Sequence, residues 1–217
     1  IPVVYNGVDA RRLLGLSAQG QALSERLDLW SADQVLLMPV RVTRAKNIEY
    51  ALELARALKR RGCDLRLVLS GPPDPHEQPS LDYYEWLRAR RVELGVEAEF
   101  RFVYESGPDP ARPFTIPAEV VGELYRLADA VFIPSHREGF GLPLLEAMAC
   151  GTPVVTSSVS SLPEVVGDAA LTVPPLDEGG LATAMERLLN DGELAATLRE
   201  RGLRRAAEMS WRRVAHE

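Results

Sequence analysis

Two carboxylates, Glu138 and Glu146, bracket the start of EGFGLPLLEAMACGTPVV, an otherwise apolar segment that also carries Gly139, Gly141 and Pro143. Carboxylates accept hydrogen bonds from hydroxyls, and glycines clear side chains so that a backbone can approach a ligand. The pattern predicts a helix from about Leu142, with Pro143 in its first turn, where a missing N–H costs nothing. The free N–H groups and positive dipole end of such a helix suit a phosphate. Glu146 then stands one turn inside the helix and Glu138 in the loop ahead of it. Two hydroxyl acceptors flanking a backbone anion site describe a sugar phosphate or nucleotide sugar better than a bare nucleotide. Each residue alone also has a plainer reading, since glycines permit any tight turn and acids are favoured at helix starts.

The elements that must position these residues are legible as short apolar runs alternating with longer segments of helical period. Strands are expected at 35–40, 65–70, 99–103, 130–134, 153–157 and 170–173. Between the first two lies NIEYALELARALKRRG, where Ile48, Ala51, Leu52, Ala55 and Leu58 share one stripe and Gly62 offers a stop. Further helices are expected at 81–94, 117–128, 142–150, 178–190 and 192–208. A short one is opened by the capping-box pattern Ser161-Leu162-Pro163-Glu164. The Pro-rich stretches 71–80 and 105–117 read as loops at the C-terminal ends of strands, the edge where open α/β sheets bind ligands. The expected fold is one α/β domain, a Rossmann-like doubly wound parallel sheet of about six strands.

At 217 residues and 46% hydrophobic, the chain can bury one large core. Its net charge of -6 is spread along the length, which excludes the basic footprint of a nucleic-acid binder. Two distant cysteines, Cys63 and Cys150, suggest a reducing, cytoplasmic setting without a disulfide framework. No apolar run reaches the roughly 18 residues of a membrane span, and IPVVYNGVD has no signal-peptide character. The first residue is not Met, so the chain reads as a fragment or a processed product. No His, Cys, Asp or Glu spacing suggests a metal set, and no DxD triplet is present to hold a metal-bound diphosphate. His136, beside Glu138, reads as a loop residue rather than a general base.

The run from Glu138 to Glu146 resembles the glutamate, seven residues, glutamate motif of the retaining GT-B glycosyltransferases of family four, the group one transferases. NGVD (Asn6 to Asp9) resembles that family's entry into its C-terminal domain, and PVRVTRAKN its GR…KN segment; ELYRLADAVFIPS, GTPVV, LTVPP and SWRRVAHE follow the same template in order. Residues 1–217 are thereby identified as the nucleotide-sugar-binding half of a GT-B fold. The resemblance implies that an N-terminal acceptor domain lies outside this chain and that 205–217 is a C-terminal helical segment able to pack back toward it. The resemblance implies that Arg41 and Lys46 hold the donor diphosphate, that Glu138 binds hydroxyls of the transferred sugar and that Glu146 binds the ribose. Backbone groups around Gly139, Phe140, Gly141 and Leu142 contact sugar or phosphate, while Gly71, Val103 and Tyr104 lie at strand ends near the base. A nucleoside-diphosphate sugar is then the donor, with no metal or other cofactor required, and the full-length enzyme has a membrane surface as a further possible partner. The isolated fragment is expected to transfer nothing. A sucrose-phosphate-synthase-like transfer and a non-catalytic nucleotide-sugar-binding module are the alternatives. The chain departs from the family pattern at Val40, where a glycine is usual, and at LSGPPDPHEQPS.

Overall fold

The computed structural model describes residues 15–109 and 111–209. The NGVD segment and SWRRVAHE, with Trp211 and His216, lie outside the described residues, as does most of 205–217. Strands β1 (Gln34–Met38), β2 (Leu65–Leu69), β3 (Phe100–Phe102), β4 (Ala130–Ile133), β5 (Val154–Ser157) and β6 (Leu171–Val173) form one sheet in the order β3-β2-β1-β4-β5-β6. Every pairing is parallel, with Leu36 opposite Leu67 on one side of β1 and Ala130 on the other. Parallel sheets are covered on both faces, so their strands read as continuous apolar runs rather than alternating ones. Leu36, Leu67, Val68, Phe132 and Val155 are all fully buried.

The helices are α1 (Ala18–Arg26), α2 (Ile48–Arg60), α3 (Gln78–Leu94), α4 (Ala118–Leu127), α5 (Leu142–Ala149), α6 (Leu162–Val166), α7 (Glu178–Asn190) and α8 (Gly192–Glu208). Right-handed crossovers put α2 and α3 on one face of the sheet and α4, α5 and α6 on the other. The expected stripe of α2 is buried at all five positions, and α2 packs on β2, α3 and α7. The strand order reverses between β1 and β4, which opens a crevice above their C-terminal ends. Both candidate chemical loops, after β1 and after β4, lead out of that crevice.

Three local expectations are corrected. Helix α1 lies where no element was expected. It is capped by Ser17, whose hydroxyl accepts from the Gly20 N–H at 3.0 Å, and the Ser17 N–H donates to buried Glu123 on α4 at 3.0 Å. Helix α3 begins at Gln78, inside the stretch read as a loop, because Pro79 occupies the first turn. Strand β3 ends at Phe102, and Val103–Glu105 turn into a 3-10 helix.

Candidate functional site

The crevice is built from two loops. After β1 the chain passes Val40 and Arg41 into a 3-10 turn, Arg44–Lys46, which Asn47 ends in the left-handed conformation at φ 53°. Asparagine tolerates that conformation better than most residues. Asn47 is also buried, and its Nδ2 donates to the carbonyl of Pro134 at 3.2 Å, tying this loop to the one after β4. A second tie is the His136 N–H donating to the Ala45 carbonyl at 2.9 Å. With the two loops fastened in this way, Lys46 Nζ reaches Glu138 Oε1 at 2.6 Å. The same oxygen accepts from Ser135 Oγ at 2.8 Å, and Ser135 is fully buried at the end of β4. Its carbonyl accepts in turn from Ser157 Oγ on β5.

Glu138 is thus held by a cation and a hydroxyl, with its side chain 9% exposed. Glu146, on α5, stands exposed to solvent, but its Oε2 accepts from the Tyr125 hydroxyl of α4 at 2.7 Å. Tyr125 is almost fully buried; burial, and then the neighbouring Glu146 carboxylate, push its pKa far above the usual tyrosine value. It therefore remains a donor, and it leaves Glu146 Oε1 open.

Between the two glutamates, Gly141 caps α5 at φ 96°, a conformation that favours glycine. A Cβ there would also lie 2.7 Å from Leu162 Cδ2. Around Gly139 no atom lies within 4 Å of a built Cβ, so this stretch of backbone is open. Among the described residues the N–H groups of Phe140 and Gly141 donate to nothing, and the side chains of Phe140 and Leu142 are about half exposed (49% and 48%). The loop is held from behind by Ser161, whose hydroxyl lies 2.9 and 3.0 Å from the carbonyls of Gly139 and Phe140. Ser161 therefore does not cap α6 with its side chain, contrary to the capping-box reading.

Arg41 is exposed and has no hydrogen-bond or ion-pair partner among the described residues. Gly71 packs against the opposite loop: a Cβ on it would fall 2.1 Å from the Val40 carbonyl oxygen and 2.7 Å from the Arg41 N. Its place in the site is a close backbone approach. Val40 itself turns its side chain into the core at 4% exposure. The structure does not bring Val103 to the crevice by its side chain, which is fully buried. Tyr104 packs edge-on against Tyr84 at 5.2 Å. His136 is exposed, and Cys150 is a half-buried thiol at the end of α5 whose pKa burial raises.

Sequence reasoning passed over Asn47, Tyr125, Ser135 and Ser161 as functional residues. The polar groups of Asn47, Tyr125 and Ser161 act on residues more than twenty positions away, while Ser135, directly after the apolar strand run and three residues before Glu138, carried a positional signal. No helix among the described residues is long and apolar enough to cross a membrane.

A doubly wound parallel sheet with a lysine, two tethered carboxylates and open helix-start amides gathered at its switch point defines a Rossmann-like domain. A family model described as glycosyl transferases group 1 matches residues 21–205, so the chain belongs to that family, as a C-terminal domain of the GT-B fold. It is 35% identical over 225 residues to the D-inositol 3-phosphate glycosyltransferase of Salinispora arenicola, covering 99% of this chain and 47% of that protein. Among solved structures it is similar to the sucrose-phosphate synthase of Thermosynechococcus elongatus, with 29% identity, a TM-score of 0.74, and coverage of 98% of this chain and 47% of that one. It also resembles in fold the C-terminal domain of a glycosyl transferase group 1 family protein from Francisella tularensis, with 23% identity and a TM-score of 0.68, covering 88% of this chain and 96% of that one. The chain thus spans about half the length of the full-length proteins it matches.

Proposed function

We propose that this chain is the donor-binding half of a retaining glycosyltransferase of family four. It would hold a nucleoside-diphosphate sugar across the crevice between β1 and β4. The observation that carries this reading is the convergence of Lys46, Glu138 and Ser135, at 2.6 and 2.8 Å, beside the free amides that open α5. A fold alone hosts many functions; here the family and the chemistry of the site agree. Arg41 and Lys46 take the diphosphate, Glu138 exchanges Lys46 for the hydroxyls of the transferred sugar, and Glu146 offers Oε1 to the ribose. The amides from Gly139 to Leu142 face the sugar or the phosphates.

In the reaction so assigned, the bond between the anomeric carbon and the diphosphate oxygen breaks as the acceptor oxygen bonds to that carbon on the same face. The acceptor proton passes to the departing phosphate oxygen. The protein's part is electrostatic stabilisation of the leaving group. A glycosidase mechanism is disfavoured, since it needs a carboxylic acid facing a second carboxylate across the scissile bond. Glu138 is instead turned onto a lysine and Glu146 onto a tyrosine.

The acceptor is assigned to an N-terminal domain beyond this chain. With that domain joined, Lys46→Ala and Glu138→Ala should each abolish most transfer, and transfer at the parental rate in both would overturn the site. On this chain alone, calorimetry with UDP-, GDP- and ADP-sugars should show weak binding of one nucleotide and no transfer. The likeness to a sucrose-phosphate synthase favours a second reading, with a sugar phosphate as acceptor. Nucleoside diphosphate release that depends on added sugar phosphate would select it.

A further inference from the structure

Past the edge strand β3, away from the crevice, the surface holds a cleft of about 380 Å³ into which three arginines converge from three elements: Arg26 at the end of α1, Arg91 on α3 and Arg101 on β3. Strands β1 and β2 separate it from the switch point, on the order of 12 Å at ~4.8 Å per strand.

Two of the guanidiniums are held by aromatic rings. Arg91 lies 4.9 Å from the Phe102 ring centroid, and Arg26 lies 5.4 Å from that of Phe114 while donating to the Ser106 carbonyl at 2.6 Å. Such stacking fixes the plane of each guanidinium, and the Arg91 Nη1–H also donates to the Phe100 carbonyl at 3.4 Å.

Two carboxylates, Glu97 and Glu105, line the cleft beside the three arginines. Both oxygens of Glu105 are already occupied: Oε1 by Arg88 Nε at 2.8 Å and the Tyr84 hydroxyl at 3.0 Å, Oε2 by Arg91 Nη2 at 2.8 Å. Glu97 stands exposed on the rim and forms no ion pair among the described residues. The nearby Arg66 takes Asp28 and Asp64 for itself, at 2.6 and 2.7 Å. Arg101 is left half-buried with no ion-pair or hydrogen-bond partner among the described residues, and the Nε–H groups of both Arg91 and Arg101 are buried and unpartnered. Burial, and then the nearby Arg66 charge, lower the pKa of Arg101 from its ordinary value. Desolvated cations without an anion are costly, and so are buried donors without acceptors.

We propose that this cleft is a second anion site, separate from the donor crevice, that takes a phosphate group between Arg26, Arg91 and Arg101. Three guanidiniums arriving from three directions suit a tetrahedral phosphate better than a planar carboxylate, which one bidentate fork satisfies. The volume lies at the low end of small-molecule sites, roughly 300–1,000 Å³, so it admits a small phosphomonoester as well as the free ion.

The test is titration of this chain with sodium phosphate and with glycerol 3-phosphate at an ionic strength held constant by chloride, read by calorimetry and by amide NMR shifts. Saturable binding is expected, with the largest shifts at Ser106 and Gly107. Arg101→Gln is expected to weaken it at least tenfold and to leave the UDP titration unchanged. Arg26→Gln provides a second variant, away from the sheet, and thermal melts of both establish that they fold. Tighter binding of glycerol 3-phosphate identifies an esterified phosphate as the ligand; equal affinities identify the free ion. The proposal is overturned if no saturable binding is found, if folded Arg101→Gln and Arg26→Gln both bind as the parent does, or if the shifts map only to Lys46 and residues 139–142.

Discussion

The two loops that wall the crevice solve the same problem by different means. The loop after β1 is fixed by its backbone: a 3-10 turn, Asn47 in the left-handed conformation, and Gly71 pressed against the Val40 carbonyl. Its cations, Arg41 and Lys46, ride on that rigid backbone at the tips of long side chains. The loop after β4 is open around Gly139, and side-chain hydroxyls do the fixing instead: Ser135 on Glu138, Tyr125 on Glu146, Ser161 on the carbonyls behind. On the proposed function, a diphosphate needs only charge within reach, which lysine and arginine arms supply there. On the same proposal, recognition of individual hydroxyls requires carboxylate oxygens at set positions, and each glutamate has one oxygen held by a donor.

The contrast can be broken from either side. The largest effect is expected for Lys46→Ala in the two-domain enzyme. It removes charge aimed at the leaving group and should lower kcat by about 10²–10³, as loss of a single transition-state donor does; a steady-state transfer assay reads it. Gly71→Ala should act on stability, because its Cβ would sit 2.1 Å from a carbonyl oxygen. Overpacking of this kind costs about 1–3 kcal/mol, visible as a lower midpoint in urea unfolding. Tyr125→Phe should leave the fold intact and weaken nucleotide binding by about tenfold or less, since a hydrogen bond to a charged group contributes roughly 1.5–3 kcal/mol and water replaces part of it; calorimetry with the preferred nucleoside diphosphate checks this. Ser135→Ala should have the smallest effect, a few-fold rise in KM for the donor sugar, because Lys46 still contacts the same carboxylate oxygen. If Ser135→Ala proves worse than Lys46→Ala, the division of labour between the loops is wrong.

The rhythm of strands and helices was legible because parallel strands covered on both faces leave continuous apolar runs, and α2 buries the stripe that its periodicity announces. The place of Glu138 and Glu146 followed from the apolar run of β4 and the helix start at Leu142, whereas Lys46 was marked only by the resemblance of PVRVTRAKN to the family's GR…KN segment. Helix α1 was illegible, since AQGQALSER has no strong stripe and Gly20 interrupts it; what holds that helix is Glu123, more than a hundred residues later. Val103 was read as the last residue of β3, and there too the local pattern was not enough. Its sequence continues the apolar run of β3, but the chain turns into a 3-10 helix there and buries the side chain. The Tyr125 tether of Glu146 depends on which helices lie side by side, and the Lys46 tether of Glu138 on which strands are neighbours, information that no single segment contains.

The Ser161 hydroxyl, shared between the carbonyls of Gly139 and Phe140, has a consequence for how such a domain changes over time. The curvature of the glutamate loop is set by a residue on the connection between β5 and α6, outside the motif. Substitutions at Ser161, and at Ser160, whose hydroxyl lies 3.5 Å from the Glu138 N, would therefore shift the loop while leaving both glutamates, the lysine and the sheet in place. A library built at those two positions, screened against a panel of nucleotide sugars, would be the shortest path to altered donor choice.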